Sequence, residues 1–188
     1  MNEQPGQVWI ALDTSPSSYD QDERLFDACI GWVALAAKHA SSLGAAAVVM
    51  TGQGMLAEQS STGLEREIHL APAELLRALA LLSWSEAGSL ARAFTQMKLP
   101  PERGKALLVF TADWRSGRSW GELAGFAAEQ GCRMELFVVS RLSQPTFAMR
   151  EQQRWLESGG IKVTWLHAPE MMYEPPHAES GGGAYEYA

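Results

Sequence analysis

The pattern of apolar and polar positions predicts an α/β fold. Short runs rich in Val, Ile, Leu and Ala are typical of buried strands, and they alternate with segments whose apolar residues recur at helical spacing. The predicted strands cover residues 7–12, 45–51, 64–70, 105–111, 133–139 and 161–166. The predicted helices follow after Asp20, Pro72, Ser89, about residue 119 and Thr146. Glu23 is the expected capping-box partner of Asp20 in the first helix.

This order of elements indicates one particular class of sheet. Strands alternating with helices form a mainly parallel sheet that is covered on both faces. Residues 64–70 carry several charges, so we predict an edge strand there. Its connection to strand 45–51 is too short for a helical crossover, so the edge strand should run antiparallel. The expected fold is a three-layer, doubly wound, Rossmann-like sheet of six strands.

The composition changes close to the end of the chain. From Ala168 onward the sequence contains three prolines and a Gly-Gly-Gly run, and it ends in Tyr-Glu-Tyr-Ala. Such a composition is typical of a segment that cannot bury enough apolar surface to order itself. We therefore predict one domain over residues 1–167 and a flexible tail over 168–188, for which the alternative is a short partner-binding peptide.

Charge and cysteine content narrow the classes of function. The net charge is −7, which disfavours nucleic-acid binding and attachment to an anionic membrane surface. The sequence contains no apolar run long enough to span a bilayer and no recognisable signal peptide. Cys29 and Cys132 are too far apart for a zinc motif, and we expect two buried, reduced thiols. These observations favour a cytoplasmic protein.

Two loops carry the candidate chemistry. In a doubly wound sheet, ligands bind beyond the carboxyl ends of the strands where the strand order reverses. Asp13, Ser15 and Ser17 follow the first strand, and Asp113 follows strand 105–111. Carboxylate and hydroxyl oxygens are hard ligands that suit Mg²⁺ or Mn²⁺, and two carboxylates would balance one divalent cation. The dipole of the helix after the first loop would oppose a cation there.

These residues resemble the von Willebrand factor type A (vWA) domain and its metal-ion-dependent adhesion site (MIDAS). The family has D-x-S-x-S after the first strand, matched by Asp13, Ser15 and Ser17, and an Asp after the fourth, matched by Asp113. Its threonine loop aligns with Ala-Gly-Ser-Leu, so Ser89 takes the threonine's place. The resemblance extends over residues 7–166.

The resemblance implies a function and a ligand set. Ser15, Ser17 and Ser89 would ligate the cation directly, and Asp13 and Asp113 would do so directly or through water. A partner protein would supply an Asp or Glu to an open coordination position. The amino-acid sequences around the two loops are similar to those of a bacterial vWA-like group of unknown function, whose members are encoded beside MoxR-type AAA+ ATPases. Such an ATPase, or a complex that it remodels, is therefore an expected partner.

The sequence departs from the family pattern at two loop positions. Ser89 replaces a threonine but keeps a hydroxyl. Ala112 stands where the family commonly has Ser or Thr, so a supporting hydroxyl is lost. Thr111 is one residue earlier, and strand alternation predicts that its side chain points the other way.

A competing motif indicates a serine hydrolase. Residues 117–121 read G-x-S-x-G, the nucleophile-elbow pattern, with Ser119 as the candidate nucleophile. The motif does not follow its strand directly, so Ser119 is better interpreted as a helix cap. Glu135 or Glu157 with His167 would have to complete a triad.

We therefore predict a binding module rather than an enzyme. No residue set pairs a nucleophile convincingly with a base. Trp114, Arg115 and Arg118 flank the predicted metal site, so they are the candidate partner-binding residues. The alternatives are that the two arginines are solvated loop charges and that the tryptophan is a half-buried packing residue. The main alternative is a structural subunit with a degenerate metal site.

Overall fold

The computed structural model describes residues 6–56, 71–85, 89–96 and 106–168. Within these residues the chain forms a six-stranded sheet with five helices, as predicted. The strands are β1 (Gln7–Leu12), β2 (Ala46–Thr51), β3 (Gly54–Met55), β4 (Ala106–Thr111), β5 (Arg133–Ser140) and β6 (Lys162–His167). The helices are α1 (Glu23–Ser42), α2 (Pro72–Ala80), α3 (Leu90–Gln96), α4 (Gly117–Glu129) and α5 (Phe147–Ser158).

The strand order is β3-β2-β1-β4-β5-β6. All neighbouring strands are parallel except β3, which runs antiparallel to β2 at the edge. After β1 the chain adds β2 and β3 on one side of that strand, whereas β4, β5 and β6 are added on its other side. The strand order therefore reverses between β1 and β4, where a ligand crevice is expected.

Two apolar layers hold helices against opposite faces of the sheet. One core contains Trp9, Ala11, Leu107 and Val109 and packs against α3, α4 and α5. The other contains Ile10, Leu12 and Phe110 and packs against α1 and α2. Because strand residues alternate between the faces, odd-numbered positions of β1 and β4 share the α4 side. This parity determines which side chains meet above the strand ends.

The first helix begins later than its sequence predicts. Asp20 does not cap it: residues Pro16–Tyr19 form a 3-10 turn, and Asp20 follows that turn with a left-handed φ of 52°. Asp22 is the N-cap instead, and its carboxylate accepts a hydrogen bond from the Arg24 amide. The prediction was wrong because it did not anticipate the turn, which occupies the residues that the helix was expected to use.

The edge strand is also placed differently. The antiparallel partner of β2 is the two-residue β3, reached through a turn in which the Thr51 hydroxyl accepts a hydrogen bond from the Gln53 amide. Gly54 has a φ of 113°, which favours glycine. The strand predicted over 64–70 and the tail from 169 onward lie outside the described residues.

Candidate metal centre

A polar cleft lies at the carboxyl ends of β1 and β4, where the strand order reverses. Its volume is about 210 Å³. It is lined by four of the five predicted ligand residues, namely Asp13, Ser15, Ser89 and Asp113. The structure thus brings together residues from three loops that the sequence places up to a hundred positions apart.

Asp13 is the buried carboxylate of the cleft, with 7% of its surface exposed. Its Oδ1 accepts a hydrogen bond from the Ser15 amide at 3.0 Å, and its Oδ2 accepts one from the Thr111 hydroxyl at 2.8 Å. Burial raises the pKa of the Asp13 carboxyl, and the nearby Asp113 charge raises it further. Hydrogen bonds from Ser18, Ser15 and Thr111 oppose that rise in pKa without cancelling it.

Asp113 forms the other half of the acidic pair. Its Oδ1 accepts hydrogen bonds from the Arg115 and Ser116 amides at 2.9 and 3.2 Å, which fixes the loop leading into α4. Its carbonyl accepts a hydrogen bond from the indole nitrogen of buried Trp120 at 2.8 Å. Asp113 is therefore held on both its side chain and its backbone.

Thr111 joins the two aspartates, contrary to the prediction that its side chain points away. Its hydroxyl donates to Asp13 Oδ2 and accepts a hydrogen bond from the Asp113 amide at 2.9 Å. The strand register explains the error. Leu12 pairs with Phe110, so the next residue of each strand, Asp13 and Thr111, falls on the same face. Thr111 thus supplies a hydroxyl beside the position where Ala112 lacks one.

The serines of the first loop are divided by the 3-10 turn. Ser15 and Ser18 line the cleft, and the Ser18 hydroxyl lowers the pKa of the Asp13 carboxyl. Ser17 is exposed and is not among the described residues that line the cleft. Ser89 lies at the start of α3, where its carbonyl accepts the hydrogen bond of the Ala93 amide. The structure therefore favours Ser18 over Ser17 as the third hydroxyl.

The helix dipole expected to oppose a cation lies elsewhere. The helix α1 begins at Glu23, beyond the 3-10 turn, so its N-terminus does not follow Asp13 directly. The helices α3 and α4 both begin beside the cleft, at Leu90 and Gly117, so their N-terminal dipoles oppose a cation there. Ser119 lies in the first turn of α4 rather than at its cap. The cap position belongs to Ser116.

The oxygen atoms at this cleft fit a hard divalent cation. Two carboxylates meet there among serine hydroxyls, and none of the described lining residues is Lys or Arg. No group of three or more His, Cys, Asp or Glu side chains that could hold a metal occurs within the described ranges. A cation would therefore be held by two carboxylates and neutral oxygens. Such a ligand set suits Mg²⁺ or Mn²⁺ better than zinc.

The predicted partner-binding residues Trp114, Arg115 and Arg118 are neighbours in sequence of the lining residues Asp113 and Ser119, but none of the three is among the described residues that line the cleft. The Arg115 guanidinium lies 4.9 Å from the centre of the Trp114 ring and 3.5 Å from Asp20 Oδ1. It thereby connects the two loops that carry Asp113 and Asp13. Arg118 is almost fully exposed and forms a loose ion pair with Glu122. Both arginines present most of their surface to solvent.

The residues of the competing hydrolase motif are separated. Ser119 lines the cleft. His167 lies at the end of β6, where its carbonyl accepts a hydrogen bond from Trp32 of α1 and its ring approaches the Leu142 carbonyl at 3.4 Å. No histidine occurs among the described lining residues of the cleft. Glu135 pairs with Lys162 on the neighbouring strand.

A comparison with protein-family models finds no match to the chain, and a comparison with curated protein sequences finds none either. Within the described part of the chain, none of the helices combines the length and apolar character that crossing a bilayer requires. The established result is therefore an α/β Rossmann-like fold with a polar cleft at its strand-order reversal.

Sequence reasoning did not identify four residues that build the cleft. Thr111 donates a hydrogen bond to the Asp13 carboxylate, and Ser18 lowers the pKa of that carboxyl. Trp120 donates a hydrogen bond to the Asp113 carbonyl, and Tyr19 donates one to the Asp13 carbonyl. The alternation of side chains along β1 and β4 could have identified Thr111, because it places Thr111 and Asp13 on the same face of the sheet. The other three depend on the course of the loops, for which the sequence offered no comparable signal.

Proposed function

We propose that this chain is a vWA-like, non-catalytic binding module. It holds one Mg²⁺ or Mn²⁺ ion in the cleft and engages an acidic side chain of a partner protein. One observation carries the proposal: Asp13 and Asp113 come from neighbouring strand ends, share the Thr111 hydroxyl and face a cleft whose described lining lacks a basic side chain.

The electrostatics of the cleft favour a cation. Burial and the Asp113 charge both raise the pKa of Asp13, because each makes its ionised form less favourable. A divalent cation between the two carboxylates would remove this repulsion. The site would then be close to neutral, since the remaining ligands are hydroxyls. An incoming carboxylate could therefore occupy an open coordination position without charge repulsion.

The proposed ligands have different roles. Ser15 and Ser89 line the cleft and would contribute hydroxyl oxygens. Asp13 and Asp113 would bind the cation directly or through water. Ser17 is the proposed ligand with least support, because it is not among the described residues that line the cleft. Ser18 lines the cleft, and its hydroxyl lowers the pKa of the Asp13 carboxyl.

The exposed residues that follow Asp113 support an acidic protein partner. Arg115 and Arg118 are exposed beside the cleft, so they could pair with carboxylates next to the one that meets the cation. The half-buried Trp114 beneath Arg115 offers an aromatic anchor of the kind enriched at interfaces. A MoxR-type AAA+ ATPase remains the proposed partner on the strength of the family resemblance. The two cysteines are free and buried, in keeping with the proposed cytoplasmic location.

One observation favours the alternative, a structural subunit with a degenerate metal site. Both carboxylate oxygens of Asp13 already accept hydrogen bonds from the protein, and Ser17 lies outside the cleft. In this alternative, the hydrogen bonds to the Asp13 carboxylate take the place of a cation. A partner would then bind elsewhere on the protein surface.

Thermal unfolding in EDTA and then in millimolar Mg²⁺ or Mn²⁺ separates the two functions. A cation at about 100 times its Kd adds about 2.7 kcal/mol to the free energy of unfolding, a rise of several degrees in Tm for a domain of this size. Asp13→Asn should lose the rise, whereas Asp27→Asn, which alters an exposed carboxylate on α1, should keep it. No rise in the wild type would favour the structural subunit.

The partner is tested by capture on immobilised protein. We expect an acidic partner, with an AAA+ ATPase as the leading candidate, to be retained in Mg²⁺ and released by EDTA. Arg115→Ala and Arg118→Ala should weaken retention without changing the cation-dependent rise in Tm. Retention that is equal in Mg²⁺ and EDTA would contradict a cation-mediated contact.

A further inference from the structure

A buried tyrosine contacts the backbone of Asp13, one of the two carboxylate residues of the cleft. Tyr19 ends the 3-10 turn and has no exposed surface. Its hydroxyl donates a hydrogen bond to the backbone oxygen of Asp13, six residues earlier. The turn therefore folds back on the end of β1 and contacts the residue that carries the buried carboxylate.

The Tyr19 hydroxyl lies in a dry environment. Its oxygen is 3.4 Å from the sulfur of Cys29, which is also fully buried on α1. A tyrosine hydroxyl has one proton to donate, and a carbonyl oxygen is a better acceptor than a thiol sulfur. The proton is therefore directed at Asp13, and Cys29 fills the other side of the hydroxyl. Without this donor, the Asp13 carbonyl would lose a buried hydrogen bond.

Apolar contacts fix the tyrosine ring. The ring packs edge-on against Phe26 of α1, with centroids 5.1 Å apart, and Phe26 stacks on Trp84 at 6.0 Å. The same segment supplies the Ser85 amide, which donates to the carbonyl of Thr14 at 2.8 Å. Two consecutive carbonyls after β1 are thus held from different sides, one by Tyr19 and one by Ser85.

We infer that Tyr19 is a positioning residue for the Asp13 carboxylate. The backbone of Asp13 is fixed at its amide by the hydrogen bond to the Phe110 carbonyl at 3.0 Å, and at its carbonyl by Tyr19. Fixing both ends sets the direction of the side chain, so that one carboxylate oxygen meets Thr111 and the other meets the Ser15 amide. The consequence for cation affinity rests on the proposed function, whereas the positioning itself does not.

Tyr19→Phe is the direct test, because it removes the hydroxyl and keeps the ring. Cys29→Ala is the matched control, since it alters the other neighbour of the hydroxyl but leaves the hydrogen bond to Asp13. Two quantities are measured on the full chain: hydrogen exchange of the Ser15 amide in EDTA, and the Kd for Mn²⁺. Exchange at Leu136, in the centre of β5, reports any change in global stability.

We expect Tyr19→Phe to speed exchange at Ser15 more than at Leu136, and to weaken Mn²⁺ binding about tenfold, the scale seen when a partner of a metal ligand is removed. Cys29→Ala should leave the ratio of the two exchange rates and the Mn²⁺ affinity close to wild type. A residue with only a structural role would change both exchange rates equally and leave the affinity unchanged.

The outcomes separate the inference from the proposed function. If the wild type binds Mn²⁺ and Tyr19→Phe binds it equally well with the Ser15 amide equally protected, the inference is overturned. If the wild type binds no Mn²⁺, the proposed function fails, and the exchange ratio alone still decides whether Tyr19 positions Asp13.

Discussion

The hydroxyl of Thr111 donates a hydrogen bond to Asp13 Oδ2 at 2.8 Å, joining two residues 98 positions apart. The bond is possible because β1 and β4 are neighbouring parallel strands. Thr111 is the last residue of β4 and Asp13 directly follows β1, so the register places both on the same face. Thr111 also accepts the amide hydrogen of Asp113. One buried hydroxyl therefore links the Asp13 carboxylate to the backbone of Asp113.

Thr111→Val should disrupt this arrangement while keeping the shape of the side chain. The Asp13 carboxylate and the Asp113 amide each lose a buried partner, at a cost of about 1–3 kcal/mol for each unsatisfied group. We expect a lower midpoint in urea unfolding and weaker cation binding. Thr111→Ser keeps the hydroxyl and should retain most of the cation affinity. Equal cation affinities for the Val and Ser variants would show that the hydroxyl does not organise the site.

Replacing the buried Asp13 carboxylate should maintain or raise the thermal stability of the protein but abolish its cation binding. Because the folded-state pKa of Asp13 is raised above its unfolded value of 3.8, its contribution to stability is present below that value and is lost as pH rises through the folded pKa. Near neutral pH in EDTA, Asp13→Asn should therefore unfold at the same or a higher temperature than the wild type. It should also show no response to Mg²⁺. A markedly lower Tm in EDTA would mean that the ionised carboxylate stabilises the fold.

The raised pKa of Asp13 also predicts how cation binding depends on pH. A proton competes with the cation for the carboxylate, so affinity for Mn²⁺ should fall as pH is lowered toward the raised pKa, beginning above the unfolded value of 3.8. Titrations at a series of pH values, with folding checked by circular dichroism, measure this directly. A constant affinity down to the pH at which the protein unfolds would contradict a role for Asp13 as a ligand.

The Cys29 thiol predicts a loss of stability in alkali. Burial raises its pKa from 9.0 to about 12, so the folded state disfavours the thiolate. The stabilising contribution is present below pH 9.0 and is lost as pH rises toward about 12. We expect Tm to fall over that range, and to fall less in Cys29→Ala. The native thiol should also resist alkylation at pH 8 until the protein is unfolded; rapid labelling of Cys29 in the native state would contradict its burial.

Two glycines of α4 form a matched pair for testing the packing of this helix. A Cβ at Gly117 would clash with the Gln152 side chain and approach the Trp155 ring to 2.8 Å, whereas one at Gly121 would meet nothing within 4 Å. Gly121→Ala should raise Tm by about 2–4 °C, because alanine favours a helix by about 1 kcal/mol. Gly117→Ala should lower it. Equal effects at the two positions would argue against close packing of α4 on α5.

The sequence was sufficient to predict the five parallel strands but neither the edge strand nor the loops. Strands such as 7–12 and 105–111 are continuous apolar runs, so their place in a parallel sheet follows from burial alone. The loop after β1 contains Pro16 and folds into a 3-10 turn that ends with Tyr19. That turn moves the start of α1 to Glu23 and leaves Ser17 exposed. Local hydrogen bonds decide such turns, and apolar periodicity does not report them.

Some residues of the candidate site could likewise be predicted from the strands, whereas others depend on the conformation of the loops. Asp13 and Asp113 could be paired from the strand order, because each follows a central strand. Thr111 could have been paired with Asp13 from the register, since parity places them on one face. Ser18 and Trp120 could not be predicted in this way, because their roles depend on where the 3-10 turn and α4 begin.

Calorimetric titration of metal-free protein with Mn²⁺ tests the central claim most directly. The account predicts one ion bound per chain in the wild type and in Asp27→Asn, and loss of that binding in Asp13→Asn and Asp113→Asn. Each variant should remain folded, because each substitution preserves the size of the side chain. Wild-type protein that binds no Mn²⁺, or binding that survives both substitutions in the cleft, would contradict a cation site between Asp13 and Asp113.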